Sequence, residues 1–175
     1  GDAYRPRFIL PFRIGKKEAS ECLQREFKNR IFAPDSFLSD ATLARMEGSY
    51  VPFWLYDMSA DCHYDGTGTR VRVWRSGDTE YTETSWFHVL RDMEVQFEKV
   101  PADASEKFPD EIMDLMEPYE YDGLQNFTPE YMSGFLGEVY NGPSGEDVSR
   151  AQEKAETAAK RLLMQTVSGY STVIP

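Results

Sequence analysis

The chain has 175 residues, of which 41% are hydrophobic and 14% aromatic, and its formal net charge at pH 7 is −11. This apolar content argues against a disordered chain, and the acidic balance disfavours a nucleic-acid-binding surface, which depends on lysine and arginine. Cys22 and Cys62 are too few for a disulfide-stapled secreted domain, so we expect reduced thiols in a cytoplasmic protein.

The first 48 residues predict one strand and two helices. A β-prone edge strand is predicted for YRPRFILPFRI, because Pro11 is tolerated at edges and strand ends. Apolar residues recur at helical spacing in GKKEASECLQREFKNRIF, and Pro34 ends that helix. A short helix or irregular connector is predicted for DSFLSDATLARMEG, closed by Gly48.

A β-rich block follows, from which we predict about four antiparallel strands in a meander. The strands are predicted for SYVPFWLYDMSADCHY, TRVRVWR, TEYTETSWFHVL and MEVQFEKV. The three predicted turns lie at residues 65–68, at residues 76–78 and at Arg91-Asp92. In the last strand, Met93, Val95 and Phe97 alternate with polar residues, which indicates one solvated face.

The remaining sequence predicts helices. They are FPDEIMDLMEPY, TPEYMSGFLGEVY with Thr128 as N-cap, and the long GEDVSRAQEKAETAAKRLLMQTVSG. The apolar stripe of the long helix is predicted as Val148, Ala151, Ala155, Ala158, Leu162 and Leu163, with Gly169 as C-cap. The fold class is therefore α+β: an antiparallel meander of about four or more strands packed against segregated helices, in a single domain over residues 1–175.

The run CHYDGTGT at residues 62–69 raises the possibility of phosphate chemistry, with Asp65 as a nucleophile. A phosphoacceptor aspartate ends a buried parallel strand and is followed by a helix. Here the run is followed by the strand-like TRVRVWR. We therefore interpret Asp65 to Gly68 as a loop between antiparallel strands, with glycines supplying positive φ.

Cysteine and histidine do not form a recognisable metal site. Cys62 and His63 are adjacent, so in a strand they point to opposite faces, and no further Cys or His lies at zinc-like spacing. His88 could act as a base, but no nucleophile stands beside it in a recognisable motif, and a structural or surface role is the simpler interpretation. The acidic segment EPYEYDG at residues 117–123 is interpreted as a solvated loop.

Aromatic residues of the β-rich block are weak candidates for lining a ligand groove. The candidate binding residues are Trp54, Tyr56, Trp74, Trp86 and His88. Core packing across strand pairs is the default interpretation of the aromatic residues. Arg70, Arg72 and Arg75 could contact phosphate, although pairing with Glu80 and Glu83 on the next strand is the simpler account.

The chain resembles the central region of an uncharacterised bacterial family that carries a transcription-factor-type zinc ribbon, some of whose members bear a primosomal or replication-restart helicase label. The resemblance rests on ILPFRIGKKEA, FAPDSF, GSYVPFWLYD, TRVRVWRSGDTEYTETSWFHVLRD, FEKVP, MEPYEYDGLQNFTPEYMSGFLGEVY and TVSGYSTV. It implies an excised fragment, with a zinc ribbon upstream and a β segment and membrane-spanning stretch downstream. The helicase label does not fit this region, because GxxxxGK[ST] is absent.

The sequence predicts a non-catalytic interaction or scaffolding module with a protein partner that is not identified. We expect no cofactor in this fragment, zinc in the upstream ribbon, and membrane contact only through the missing C-terminal part. Two alternatives stay open. One is an enzyme whose site assembles from scattered residues, with His88, Asp65 and Cys62 as first suspects; the other is a nucleic-acid-associated regulator that acts through the ribbon.

Overall fold

The structure, a computed structural model, describes residues 4–27, 39–105, 113–114, 117–138, 140 and 142–175. The chain divides into two compact units. Unit 1 is Gly1–Phe53 with Asp103–Gly142, and unit 2 is Trp54–Ala102 with Pro143–Pro175. Each unit combines two separate chain segments, and a single domain stays a prediction.

The described residues form three α-helices and seven strands. In chain order they are β1 Phe8–Ile9, α1 Lys16–Phe27, α2 Asp40–Ala44, β2 Ser49–Tyr50, β3 Phe53–Ser76, β4 Thr79–Asp103, β5 Gln125–Asn126, β6 Leu136–Gly137, α3 Gly145–Gln165 and β7 Thr172–Ile174. Single turns of 3-10 helix occupy Tyr121–Gly123 and Pro129–Met132. This mixture of helices and mainly antiparallel strands confirms the predicted α+β class.

Unit 1 contains two small sheets. Strand β1 pairs antiparallel with β5, and β2 pairs parallel with β6. Beside the second sheet, the rings of Phe12 and Phe135 stack with centroids 4.8 Å apart, and Tyr50 meets both rings edge-on at 5.1 and 5.3 Å. This aromatic cluster therefore links the N-terminal segment to the segment that follows β4.

The structure tests the helices predicted in unit 1 to different extents. The predicted helix from Thr128 is wrong: a 3-10 turn at Pro129–Met132 is followed by β6, because Gly134 adopts φ +80° and interrupts the helical conformation. The predicted helix FPDEIMDLMEPY lies mostly outside the described residues, as do Pro34 and residues 28–31 at the end of the predicted first helix.

A long antiparallel hairpin dominates unit 2. Its strands, β3 and β4, have 24 and 25 residues and meet at the predicted tight turn, where Gly77 has φ +60°. Strand β7 joins the opposite edge of β3, which gives the order β4-β3-β7. The register pairs Thr67 with Ile174 and Thr69 with Thr172. Residues 172–174 are therefore part of the main sheet.

The other two predicted turns are wrong, because β3 and β4 run without interruption through residues 65–68 and 91–92. Gly66 and Gly68 do not have positive φ; both are buried strand residues. A Cβ on Gly66 would lie 2.6 Å from the Ile174 carbonyl oxygen, and one on Gly68 would lie 2.7 Å from the Tyr170 ring. These glycines therefore allow a close approach by the C-terminal segment, which is the other common role of glycine in a strand.

Helix α3 covers one side of the hairpin, and among the described residues it is the longest helix, as predicted. Its buried residues are Ala151, Ala155, Ala159 and Leu163. Ala151 packs in a cluster with Val100 and Ala102 of β4. The predicted stripe was partly wrong, since Leu162 is 40% exposed and Ala159 is buried instead. A row at spacing i, i+4 keeps small side chains against the sheet, so the helix can approach closely.

A capping box begins α3. The Ser144 hydroxyl accepts a hydrogen bond from the backbone N–H of Asp147, and the Asp147 carboxylate accepts one from the N–H of Ser144. We expect Ser144→Ala to lower the free energy of unfolding by about 1 kcal/mol, because a helix donor loses its partner. Urea denaturation followed by circular dichroism measures this loss. Ser149→Ala, inside the same helix, is the control, and an equal loss in both variants would contradict a capping role.

Candidate functional site

The hairpin has two chemically different faces. Over residues 57–68 of β3 and residues 85–98 of β4, exposed residues alternate with half-buried or buried ones. We call the side packed by α3 the helix face and the other side the open face. The open face carries the odd positions of β3 from Asp57 to Arg75 and the even positions of β4 from Glu80 to Glu98. Thr172 and Ile174 of β7 share it, because directly paired antiparallel residues point the same way.

Contacts confirm the assignment of faces near the turn, where alternation in burial ends. Trp74 stacks on Tyr81 with ring centroids 5.5 Å apart, and the Arg72 guanidinium lies 4.8 Å from the centroid of Trp74. Arg70 lies over Phe87 at 5.0 Å, on the helix face. The simpler interpretation of Arg75 is also supported, since it forms an ion pair with Glu80 at 3.6 Å across the turn.

The predicted aromatic candidates do not form one groove. Tyr56 packs on the core cluster under α3, and Trp54 is half-buried at the base of the hairpin. Trp74 lies near the turn on the helix face, whereas Trp86 and His88 lie on the open face. The core interpretation therefore describes Tyr56, and only Trp86 and His88 among the five candidates share a surface.

Histidine–aspartate pairs occupy the open face towards the base of the hairpin. His63 Nδ1 lies 2.6 Å from Asp92 Oδ1, and His88 Nε2 lies 2.7 Å from Asp65 Oδ1. Asp57, Asp61, Glu94 and Glu98 extend the same face, which we call the acidic stem together with the two pairs. Among the described residues no group of three or more His, Cys, Asp or Glu could hold a metal ion.

The geometry gives little support to the enzymatic alternative. It brings two suspects together, since Asp65 and His88 form a pair, but it leaves the third, Cys62, on the opposite face. The paired side chains are 59% and 64% exposed. A general base needs a nucleophile within hydrogen-bonding reach and gains from exclusion of water. The pair of Asp65 and His88 is open to solvent. Asp65 orients the imidazole of His88, but the nucleophile candidate Cys62 does not lie beside that imidazole.

Asp92 raises the pKa of His63 above its ordinary value of 6.5, first through their hydrogen bond and then through its negative charge. A raised pKa in the folded state means that the stabilisation is complete below the unfolded value and is lost as the pH rises through the folded value. We expect Asp92→Asn to lower the pKa of His63, as measured by NMR titration of the imidazole protons. Glu94→Gln is the matched control, and an unchanged pKa in Asp92→Asn would contradict the pairing.

Towards the turn, the open face becomes apolar. Four large hydrophobic side chains are exposed there, and we call them the apolar patch. They are Val71 (47% exposed), Val73 (56%), Trp86 (68%) and Ile174 (58%). They belong to three neighbouring strands of one sheet, so the apolar patch extends across the sheet.

Sequence reasoning missed this patch. Val71 and Val73 alternate with arginines, and the interpretation of this run rested on charge pairing of the arginines with the next strand rather than on the valines. Ile174 lies about 100 residues along the chain from the strand that it pairs with. One signal was present: the β-prone run TRVRVWRSGDTEYTETSWF has large apolar residues at both odd and even positions, so a helix on one face cannot cover all of them.

The acidic segment at residues 117–123 is only partly solvated. Burial, followed by the charge of Glu117, raises the pKa of both Tyr119 and Tyr121 to about 12. Glu120 forms an ion pair with Arg13, and the ring of Phe53 meets Tyr119 edge-on at 5.2 Å. This segment therefore has a packing role in unit 1.

Comparison with known proteins finds one informative similarity. The chain is 36% identical over 168 residues to the uncharacterised protein YdjG of Bacillus subtilis (strain 168). The alignment covers 96% of this chain and 49% of YdjG, so the chain spans about half the length of this relative. No protein-family model matches the chain, and no solved structure matches it. Across the described residues, no helix combines the length and apolar character that a bilayer crossing requires.

Proposed function

We propose that this region is a non-catalytic protein-interaction module and that the apolar patch on the open face is its binding surface. The observation that carries the proposal is the exposure of Val73, Trp86 and Ile174, each more than half accessible, on one sheet face that α3 leaves uncovered. Exposed apolar patches of this kind mark sites of association in soluble proteins.

The architecture of the hairpin supports a partner. Towards the turn, residues 71–84 are exposed on both faces, so this end of β3 and β4 is a two-stranded ribbon without a covering layer. Such a ribbon is only marginally stable in water by itself. On the helix face of the ribbon, the rings of Trp74 and Tyr81 stack on each other and so partly cover one another. Its open face lacks such cover, and burial against a protein would stabilise it.

Charge favours a protein over a nucleic acid as the partner. The acidic stem borders the apolar patch, and phosphate would be repelled by its carboxylates. Four expectations from the sequence stay predictions. They are a regulatory role through an upstream zinc ribbon, membership of the zinc-ribbon family, a cytoplasmic location and a membrane tether. None of them conflicts with an interaction role for this region.

The test compares two tryptophan variants of the ribbon. Tagged wild-type protein, Trp86→Thr and Trp74→Thr are expressed in the native host, and proteins bound to each are quantified by mass spectrometry. Trp86 lies on the open face and Trp74 on the other, so Trp74→Thr controls for loss of a ribbon tryptophan. We expect the same enriched proteins with wild type and Trp74→Thr, and their loss with Trp86→Thr. Equal enrichment with all three would refute the assigned surface.

A further inference from the structure

We propose that the occupant of the open face is a second copy of this chain. Two copies pack open face to open face, with their β3 strands running in opposite directions about a two-fold axis near residue 70. The inference rests on the proposed function, because it assigns a partner to the same apolar patch. The resulting interface is isologous, so it closes at a dimer and leaves no repeating surface for fibre growth.

The order of charges along β3 supports this arrangement. On its open face β3 carries Asp57, Asp61 and Asp65 towards the base and Arg75 next to the turn. Asp65 and Arg75 each lie five residues from position 70. At about 3.3 Å per residue, both are roughly 17 Å from that position. When the β3 strands of the two copies run in opposite directions about residue 70, Arg75 of each copy therefore lies above Asp65 of the other.

The apolar patch occupies the centre of the same arrangement. Between Asp65 and Arg75 this face of β3 contains Thr67, Thr69, Val71 and Val73, of which Thr69 is already buried beside Thr172 of β7. Reversal about residue 70 places Val71 opposite Thr69 and Val73 opposite Thr67. Trp86 of β4 and Ile174 of β7 lie on either side of these residues. Two sheets that pack face to face in this way form a sandwich with a dry centre and charged ends.

The opposite orientation is disfavoured by the same charges. If the two β3 strands ran in the same direction, the acidic stem of one copy would face the acidic stem of the other. Like charges across an interface cost affinity, whereas complementary ends fix its register. Both members of the proposed pair have intramolecular partners, since Arg75 lies 3.6 Å from Glu80 and Asp65 lies 2.7 Å from His88. The side chains of Arg75 and Asp65 are 75% and 59% exposed, so each remains accessible to a second charged group.

Analytical ultracentrifugation of the 175-residue chain at low salt tests the proposal, with folding of each variant checked by circular dichroism. We expect a wild-type dimer and an increase of the dissociation constant of about tenfold for Arg75→Asp and for Asp65→Arg, since each change replaces two attractions by two repulsions. The double variant restores the pairs in reverse, and we expect its dissociation constant within about threefold of wild type. Trp86→Thr is expected to weaken the dimer by at least about 30-fold.

Several outcomes would overturn the proposal. A wild-type monomer at about 100 μM would exclude a second copy as the occupant, as would a double variant no tighter than its parents. A dimer unaffected by Trp86→Thr would indicate association elsewhere, such as at the exposed edge of β4. A monomer that still captures another protein in a Trp86-dependent manner would overturn the dimer and leave the interaction module intact. The two proposals can therefore fail separately.

Discussion

Ala151→Asp is expected to lower the free energy of unfolding by at least about 3 kcal/mol, enough to unfold much of the population of a marginally stable chain. Ala151 has no exposed surface, and it packs in α3 against Val100 and Ala102 of β4. A carboxylate there would lose its hydration in an apolar cluster, and the nearby Lys154 ammonium already donates a hydrogen bond to the Pro101 carbonyl oxygen at 2.9 Å. Urea denaturation followed by far-ultraviolet circular dichroism measures the change.

The adjacent Gln152→Asp is the matched control, because residue 152 is exposed on the same helix. It introduces the same side chain, and the helix-propensity cost of either substitution is at most about 0.7 kcal/mol. A loss below about 0.5 kcal/mol is expected for this variant. Similar losses in Ala151→Asp and Gln152→Asp would show that the effect comes from added charge on α3 and that packing of the helix on the hairpin contributes little.

Gly66→Ala is expected to lower the free energy of unfolding by about 1–3 kcal/mol, as overpacking of a tight site does. The new methyl group would lie 2.6 Å from the Ile174 carbonyl oxygen and 2.8 Å from the Tyr64 ring. The oxygen belongs to the backbone of β7, so relief requires β7 to move away from β3. Hydrogen exchange should therefore increase at Thr172 and Ile174 in particular, together with the loss of stability.

Gly145→Ala is the control for Gly66→Ala, because its Cβ would meet no atom within 4 Å and its φ is not positive. We expect unchanged or slightly higher stability there, since alanine has a higher helix propensity than glycine. An unchanged protein in Gly66→Ala would revive the interpretation of residues 65–68 as an open loop.

Elements with a local cause were predictable from the sequence. The tight turn at residues 76–78 was recognised because glycine at position 77 supplies positive φ. Helix α3 was recognised from its 3.6-residue periodicity and Gly169, although Gly169 has φ +93° three residues beyond the actual C-cap, Thr166. Polar residues facing solvent in the last part of β4 were also predicted, from alternation alone.

Elements with a distant cause were not predictable in the same way. The two glycines of CHYDGTGT have the same local signature whether they turn the chain or accept a neighbouring strand. The position of β7, contributed by residues about 100 positions later, decides between these roles. Similarly, the pairing of His88 with Asp65 joins residues on different strands, so a sequence motif does not show it.

By itself the sequence determined the α+β class, the acidic character and the segments in which apolar residues recur with the period of a strand or of a helix. These properties depend on side-chain type and on spacing along one element. Only the tertiary structure decided which face of the hairpin α3 covers. Each face carries one tryptophan of this part of the hairpin, Trp74 on the helix face and Trp86 on the open face, and local alternation treats the two faces equally. Packing of a single helix on one face leaves Trp86 and its apolar neighbours on the other, and that asymmetry creates the candidate binding surface.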